Sequence, residues 1–177
     1  MINVLESTFD MLITKLLRNC REKGVEMIPY EKLRSPYIQA NYWKQGRTND
    51  EIAATLEYLA KEQAFFLLHC IEVATPSAGP KITNALPGCS WHQWGKAIDC
   101  YWFEKGKKNW NLDVINEYGE NGYKVYAQEA QKLKLDAGYF WSTNCDAVHV
   151  QHHKTSSPLK VYSLREINET MEYYFAD

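Results

Sequence analysis

The chain has 177 residues with a net charge of −2, 45% apolar and 24% charged residues, an ordinary balance for a globular protein with a core of its own. That balance excludes a globally basic surface for nucleic acid. The absence of any apolar run of about 18 residues excludes a membrane-spanning helix. The start Met1-Ile2-Asn3-Val4-Leu5-Glu6-Ser7 has no basic stretch leading into an apolar one, so a chain without a secretory signal is expected. Five cysteines cannot all pair within one chain, and in a reducing cytoplasm all five are expected as free thiols.

Apolar residues from Asn3 to Arg21 recur at helical spacing (Val4, Leu5, Phe9, Leu12, Ile13, Leu16, Leu17, Cys20), with Gly24 as a stop. Pro36 opens a short second helix that ends at Gly46. Thr48 with Glu51 is a capping box and predicts one long helix through Leu56 and Gln63 toward Leu68. Thr75 to Cys89 has loop composition, with Pro76, Gly79, Pro80, Pro87 and Gly88. Lys96 to Phe103 predicts a strand and Gly122 to Leu135 a helix. Gly138 to Trp141 and Ala147 to Gln151 predict two short strands joined by a turn. Ser163 and Glu166 cap a last helix over 163–175. Helices first and short strands later predict α+β in a single domain, 1–177, with N-terminal helices packed on a small antiparallel sheet.

The segment Ser90-Trp91-His92-Gln93-Trp94-Gly95-Lys96-Ala97-Ile98-Asp99 puts a histidine in a glycine-punctuated loop and a carboxylate on the strand after it. Asp146-Ala147-Val148-His149 opens another short strand. Two imidazoles and one carboxylate are a usual ligand set for catalytic zinc, which keeps one position open for water. Asp146, three residues before the last of them, suits a general base. Spacing alone leaves bland readings open: His92 as a loop histidine bonded to backbone, Asp99 as a turn cap. His152 and His153 are expected beside the site or at the surface, His69 as a buried helix histidine, and Arg47 as a residue that holds its own loop.

The same segments resemble a known family. Ser90-x-His92-x-x-Gly95-x-Ala97-x-Asp99 followed by Asp146-x-x-His149 is similar to the signature of the D-Ala-D-Ala carboxypeptidase and L-alanyl-D-glutamate endopeptidase family, which includes VanX- and VanY-type enzymes and phage endolysins. Leu33-Arg34-Ser35 with Gln39, Gln45-Gly46-Arg47-Thr48, and Gly138-Tyr139-Phe140-Trp141 extend the likeness over about residues 34–151, closest to the single-domain endolysin-like branch. The pattern departs at Gln93, where an asparagine is common, and at Ala147-Val148, where a proline-containing pair is common.

The resemblance implies one zinc per chain held by His92, Asp99 and His149, Asp146 as base, Arg34 as the cation facing the developing oxyanion, and Ser90 in contact with substrate. It implies a peptidase acting on the peptidoglycan stem peptide, of the L-alanyl-D-glutamate endopeptidase type. A D-Ala-D-Ala carboxypeptidase or dipeptidase of the same family is the alternative, and a non-catalytic zinc-binding module a further one. A monomer, made in the cytoplasm and acting on the wall after release by a phage or prophage, completes the expectation. A cysteine hydrolase using Cys89 or Cys145 is the competing enzyme class.

Overall fold

The first helix, α1 (Ser7–Glu22), buries Phe9, Ile13, Leu16 and Cys20 on one face, the stripe that the apolar spacing requires. The Glu6 carboxylate caps it, accepting from the amides of Thr8 and Phe9 at 3.2 and 3.1 Å. The computed structural model describes residues 5–176, so the expected start at Asn3 lies outside the described residues. Pro36 occupies the first turn of α2 (Pro36–Lys44) behind a Ser35 cap, and Thr48 with Glu51 forms the capping box of α3 (Asn49–Lys61).

The single long helix expected here is two. Gln63 takes φ +57°, and α3 ends in a Schellman turn. The Ala64 amide donates to the Leu59 carbonyl at 2.9 Å and the Gln63 amide to the Ala60 carbonyl at 3.0 Å. A new helix, α4 (Phe65–Glu72), then buries Phe66, Leu67, Cys70 and Ile71. Ala64 brings α4 no capping oxygen. The Oδ1 of Asn168 supplies it instead, accepting from the amides of Phe66 and Leu67 at 2.9 and 3.1 Å. Asn168 lies on the last helix of the chain (Leu164–Phe175), which has the expected Ser163–Glu166 box.

The chain forms two compact units. One runs over Arg34–Trp94 and resumes at Thr155. It contains α2, α3, α4 and the last helix, around a core of Trp43, Leu59, Leu67, Ile71, Ile167 and Met171. The other takes the chain up to Leu33 and from Gly95 to Lys154. It holds α1, α5 (Gly122–Lys132), and an antiparallel sheet of β1 (Glu26–Glu31), β2 (Ala97–Glu104), β3 (Lys107–Asn109), β4 (Asp136–Ala137) and β5 (His149–Gln151). The order is β1-β2-β5-β4, with β3 also paired to β2. Its core includes Phe9, Leu16, Ile98, Trp102, Tyr123 and Tyr126. The last helix of the chain is α6 in this numbering.

The α+β class and the helix-on-sheet packing of α1 follow the sequence expectation; α2 to α4 pack instead with one another and with α6. Two strands were not foreseen, β1 and β3. The stretch Gly138–Trp141, expected as a strand, holds a single 3-10 turn at Gly138–Phe140, and the pairing strand lies just before it at Asp136–Ala137. The reason is close approach: a side chain at Gly138 would collide with the carbonyl of Asp146. The same carbonyl-rich junction is closed by the Asp146 amide donating to Gly138 O at 3.0 Å.

Candidate metal centre

β2 carries two different faces. Ile98, Cys100 and Trp102 are buried in the core, so alternation sends Asp99 and Tyr101 to the opposite face. In the β2–β5 ladder Asp99 stands directly across from His149, which places both side chains on that face. His149 Nδ1 lies 3.0 Å from Asp99 Oδ1, and Nε2 lies 3.1 Å from Gln151 Oε1. Burial pulls the His149 imidazole toward lower pKa, but the hydrogen bond and charge of Asp99, the charge of Asp146 and the Gln151 bond outweigh it, and the net direction is upward from the ordinary 6.5.

His92 sits on a 3-10 turn, Trp91–Trp94, which feeds into β2 within three residues. It is 2% exposed, so its imidazole is enclosed by protein. The ligand atoms of His92, Asp99 and His149 all lie within 4.8 Å of one another. Donors about 2.0–2.2 Å from one tetrahedral ion stand roughly 3.4 Å apart, and the Asp99–His149 pair at 3.0 Å is already near that. Two imidazoles and a carboxylate, all buried, are a donor set that could hold a divalent metal.

Arg34 and Ser90 belong to the helical unit, with His92. The Arg34 amide donates to the His92 carbonyl at 3.4 Å. Its guanidinium donates to Gln39 Oε1 at 2.8 Å and lies over the Tyr42 ring, 5.0 Å from the centroid. Ser90 Oγ accepts from the His92 amide at 3.4 Å. Two residues whose function sequence reasoning missed tie these together. Gln39 and Gln93 are fully buried. Gln93 accepts from the Ser90 amide at 3.1 Å and donates to Gln39 Oε1 at 3.2 Å, while Gln39 donates to Ala85 O at 2.8 Å. Both glutamines stand inside the quoted motifs, and a buried amide with four hydrogen-bonding positions is what such a junction uses; that was the available signal.

Asp146 is exposed and is not one of the three clustered residues. Its carbonyl accepts from the His149 amide at 3.1 Å, a tight turn that keeps its side chain a fixed step ahead of His149. His152 leaves the sheet at the end of β5, stacks on Phe9 with centroids 5.9 Å apart and pairs with Glu6 at 3.6 Å. His153 offers its carbonyl to Gln151 at 2.6 Å. His69, expected to be buried, is exposed and meets Tyr37 edge-on at 6.4 Å; helical phase gives the buried positions to Phe66, Leu67, Cys70 and Ile71. Arg47 does hold its loop, bonded to the carbonyls of Trp43 and Thr83.

All five cysteines are free, and only Cys145 is exposed. Burial pushes the thiols of Cys20, Cys70, Cys89 and Cys100 up to about 12, which leaves almost no thiolate at neutral pH. Burial thus argues against Cys89 as a nucleophile.

Fold and donors together define a class: an α+β chain with a buried two-histidine, one-aspartate set that could hold a metal ion. Within that class, the family model VanY, described as D-alanyl-D-alanine carboxypeptidase, matches residues 3–150. The chain belongs to the VanY family and is a peptidoglycan peptidase. Among solved structures it is similar to the L-Ala D-Glu endopeptidase ChiX of Serratia marcescens, at 17% identity over 83% of this chain and 79% of that chain, with a TM-score of 0.43. No curated protein matches it. Among the described residues no helix is long and apolar enough to cross a membrane.

Proposed function

We propose that the chain, 1–177 working as one peptidase domain, is a zinc-dependent endopeptidase that hydrolyses a stem-peptide amide of peptidoglycan. His92, Asp99 and His149 hold one zinc. The observation that carries this reading is the buried His92–Asp99–His149 cluster with the exposed carboxylate of Asp146 three residues before its last member. Bound there, zinc supplies Lewis acidity toward the scissile carbonyl and acidifies water. Asp146 takes one proton from the attacking water and passes it to the leaving nitrogen. The carbonyl carbon gains the water oxygen and loses the amide nitrogen, so a carboxylate and an amine leave. Arg34 balances the charge that develops on the carbonyl oxygen, and Ser90 orients the substrate. The L-alanyl-D-glutamate type and action as a monomer after phage or prophage release rest on the likeness of its motifs to the endolysin-like branch.

The family description favours a second reading, cleavage of the terminal D-alanine. Digestion of purified murein, with the new termini identified by mass spectrometry, distinguishes the two. The roles are tested by a pair of variants. Asp146→Ala keeps its zinc and its melting temperature but loses about 10²–10⁴-fold in turnover. Asp99→Ala loses zinc and turnover together. Near-wild-type turnover in Asp146→Ala would move the base elsewhere.

A further inference from the structure

Gln151 follows His149 by two residues on β5, so the two side chains share a face of the strand. Its amide nitrogen is held from the far side, donating to Asp136 Oδ2 at 3.1 Å and to the His153 carbonyl at 2.6 Å. These two acceptors fix which way the amide points, because a flipped amide would set its oxygen against a carboxylate and a carbonyl. Oε1 is therefore the atom turned to His149 Nε2, 3.1 Å away. Asp136 is held in turn: the Trp141 indole N–H donates to its two oxygens at 3.2 and 3.1 Å. The Trp141 ring also lies against the His149 ring, with centroids 5.3 Å apart. An oxygen facing Nε2 requires a proton on Nε2. A neutral imidazole with its proton there keeps its lone pair on Nδ1, the nitrogen 3.0 Å from Asp99.

We propose that Gln151, backed by Asp136 and Trp141, is the positioning network of the metal centre, holding neutral His149 as the Nε2–H tautomer and turning Nδ1 to the ion. The inference rests on the metal reading of His92, Asp99 and His149. Gln151 and Asp136 act through His149; they are positioning residues. Partners of this kind behind a metal-bound histidine are worth about 10–100-fold in metal affinity.

The test uses the full chain, stripped with a chelator and titrated with zinc against a chromophoric competitor. Nitrogen NMR of the zinc-loaded, imidazole-labelled wild type should place the His149 proton on Nε2 and the metal on Nδ1. Gln151→Met, which keeps length and removes the amide, should bind zinc about 10–100-fold more weakly at an unchanged melting temperature. Asp136→Leu should weaken binding in the same direction. Asp136→Asn, which keeps an oxygen for both Gln151 and Trp141, should restore most of the affinity. A wild type that takes up no zinc overturns the metal reading itself. Zinc bound with the proton on Nδ1, or Gln151→Met binding as tightly as wild type, overturns this inference and leaves the metal reading standing. The wild-type spectrum decides even where Gln151→Met fails to fold.

Discussion

The two units hold their site residues by different means. In the sheet unit Asp99 and His149 are set by a backbone ladder: their positions follow from the antiparallel register of β2 and β5, and large side chains such as Trp102 and Tyr126 back the strands from the core. In the helical unit Arg34, Ser90 and His92 lie on a loop and a 3-10 turn, where no ladder runs. There, two buried amides, Gln39 and Gln93, bond the segments to one another. A ladder tolerates changes in the side chains it displays because main chain carries the geometry. An amide junction does not, because each lost side chain strands its partners without hydrogen bonds.

Mutations can break this contrast at either end. Trp102→Ala, in the sheet unit, should cost the most, about 3–5 kcal/mol of stability. The ring is fully buried and so close to Gly122 that a Cβ there would collide with it. Urea unfolding measures the loss; a cost below about 1 kcal/mol would mean that the sheet core is loosely packed. Gln93→Leu, in the helical unit, should cost about 1–3 kcal/mol. It leaves the Ser90 amide without the Gln93 acceptor and removes the donor to Gln39. A neutral outcome by thermal melting would show that the junction is not what holds the turn.

A smaller effect is expected from pH. In the metal-free protein the folded-state pKa of His149 is raised above 6.5. The folded state therefore binds this proton more tightly than the unfolded chain. The stabilisation is complete below about pH 6.5 and is lost as pH rises through the folded value. Unfolding of the metal-free chain at pH 6 and pH 8 should show a loss on raising pH that is reduced in His149→Gln. Identical pH slopes for the two proteins would refute it. Least of all should be seen at Arg165→Ala, whose partner Glu169 is 2.9 Å away on an exposed face of α6. A change beyond about 0.5 kcal/mol would be unexpected there.

The ligand candidates were legible in the sequence because the donors stand in short, punctuated segments, and the class α+β was legible because caps and apolar periods mark α1, α2, α5 and α6. The rest was hidden for identifiable reasons. The segment of β1 carries no expectation from the sequence; it contains Pro29, which cannot donate to a ladder and is tolerated because β1 is at the sheet's edge. The break between α3 and α4 falls at Gln63, with no glycine or proline to announce a left-handed residue. The amide junctions were invisible because their partners lie far apart in the chain, Gln39 with Ala85 and Gln93. Spacing within one segment carries no trace of such pairings. The exposure of His69 was misjudged because the apolar run around it was read without its helical phase.

One consequence concerns trimming. Residues matched to the family stop at 150, while the side chain that caps α4 is Asn168. A polypeptide shortened to the matched stretch would strip the Phe66 and Leu67 amides of their Asn168 acceptor and take Ile167 and Met171 out of the core that α4 shares. The edge of the family match is therefore not the edge of what this unit needs in order to fold: the oxygen that closes the first turn of α4 arrives from beyond it.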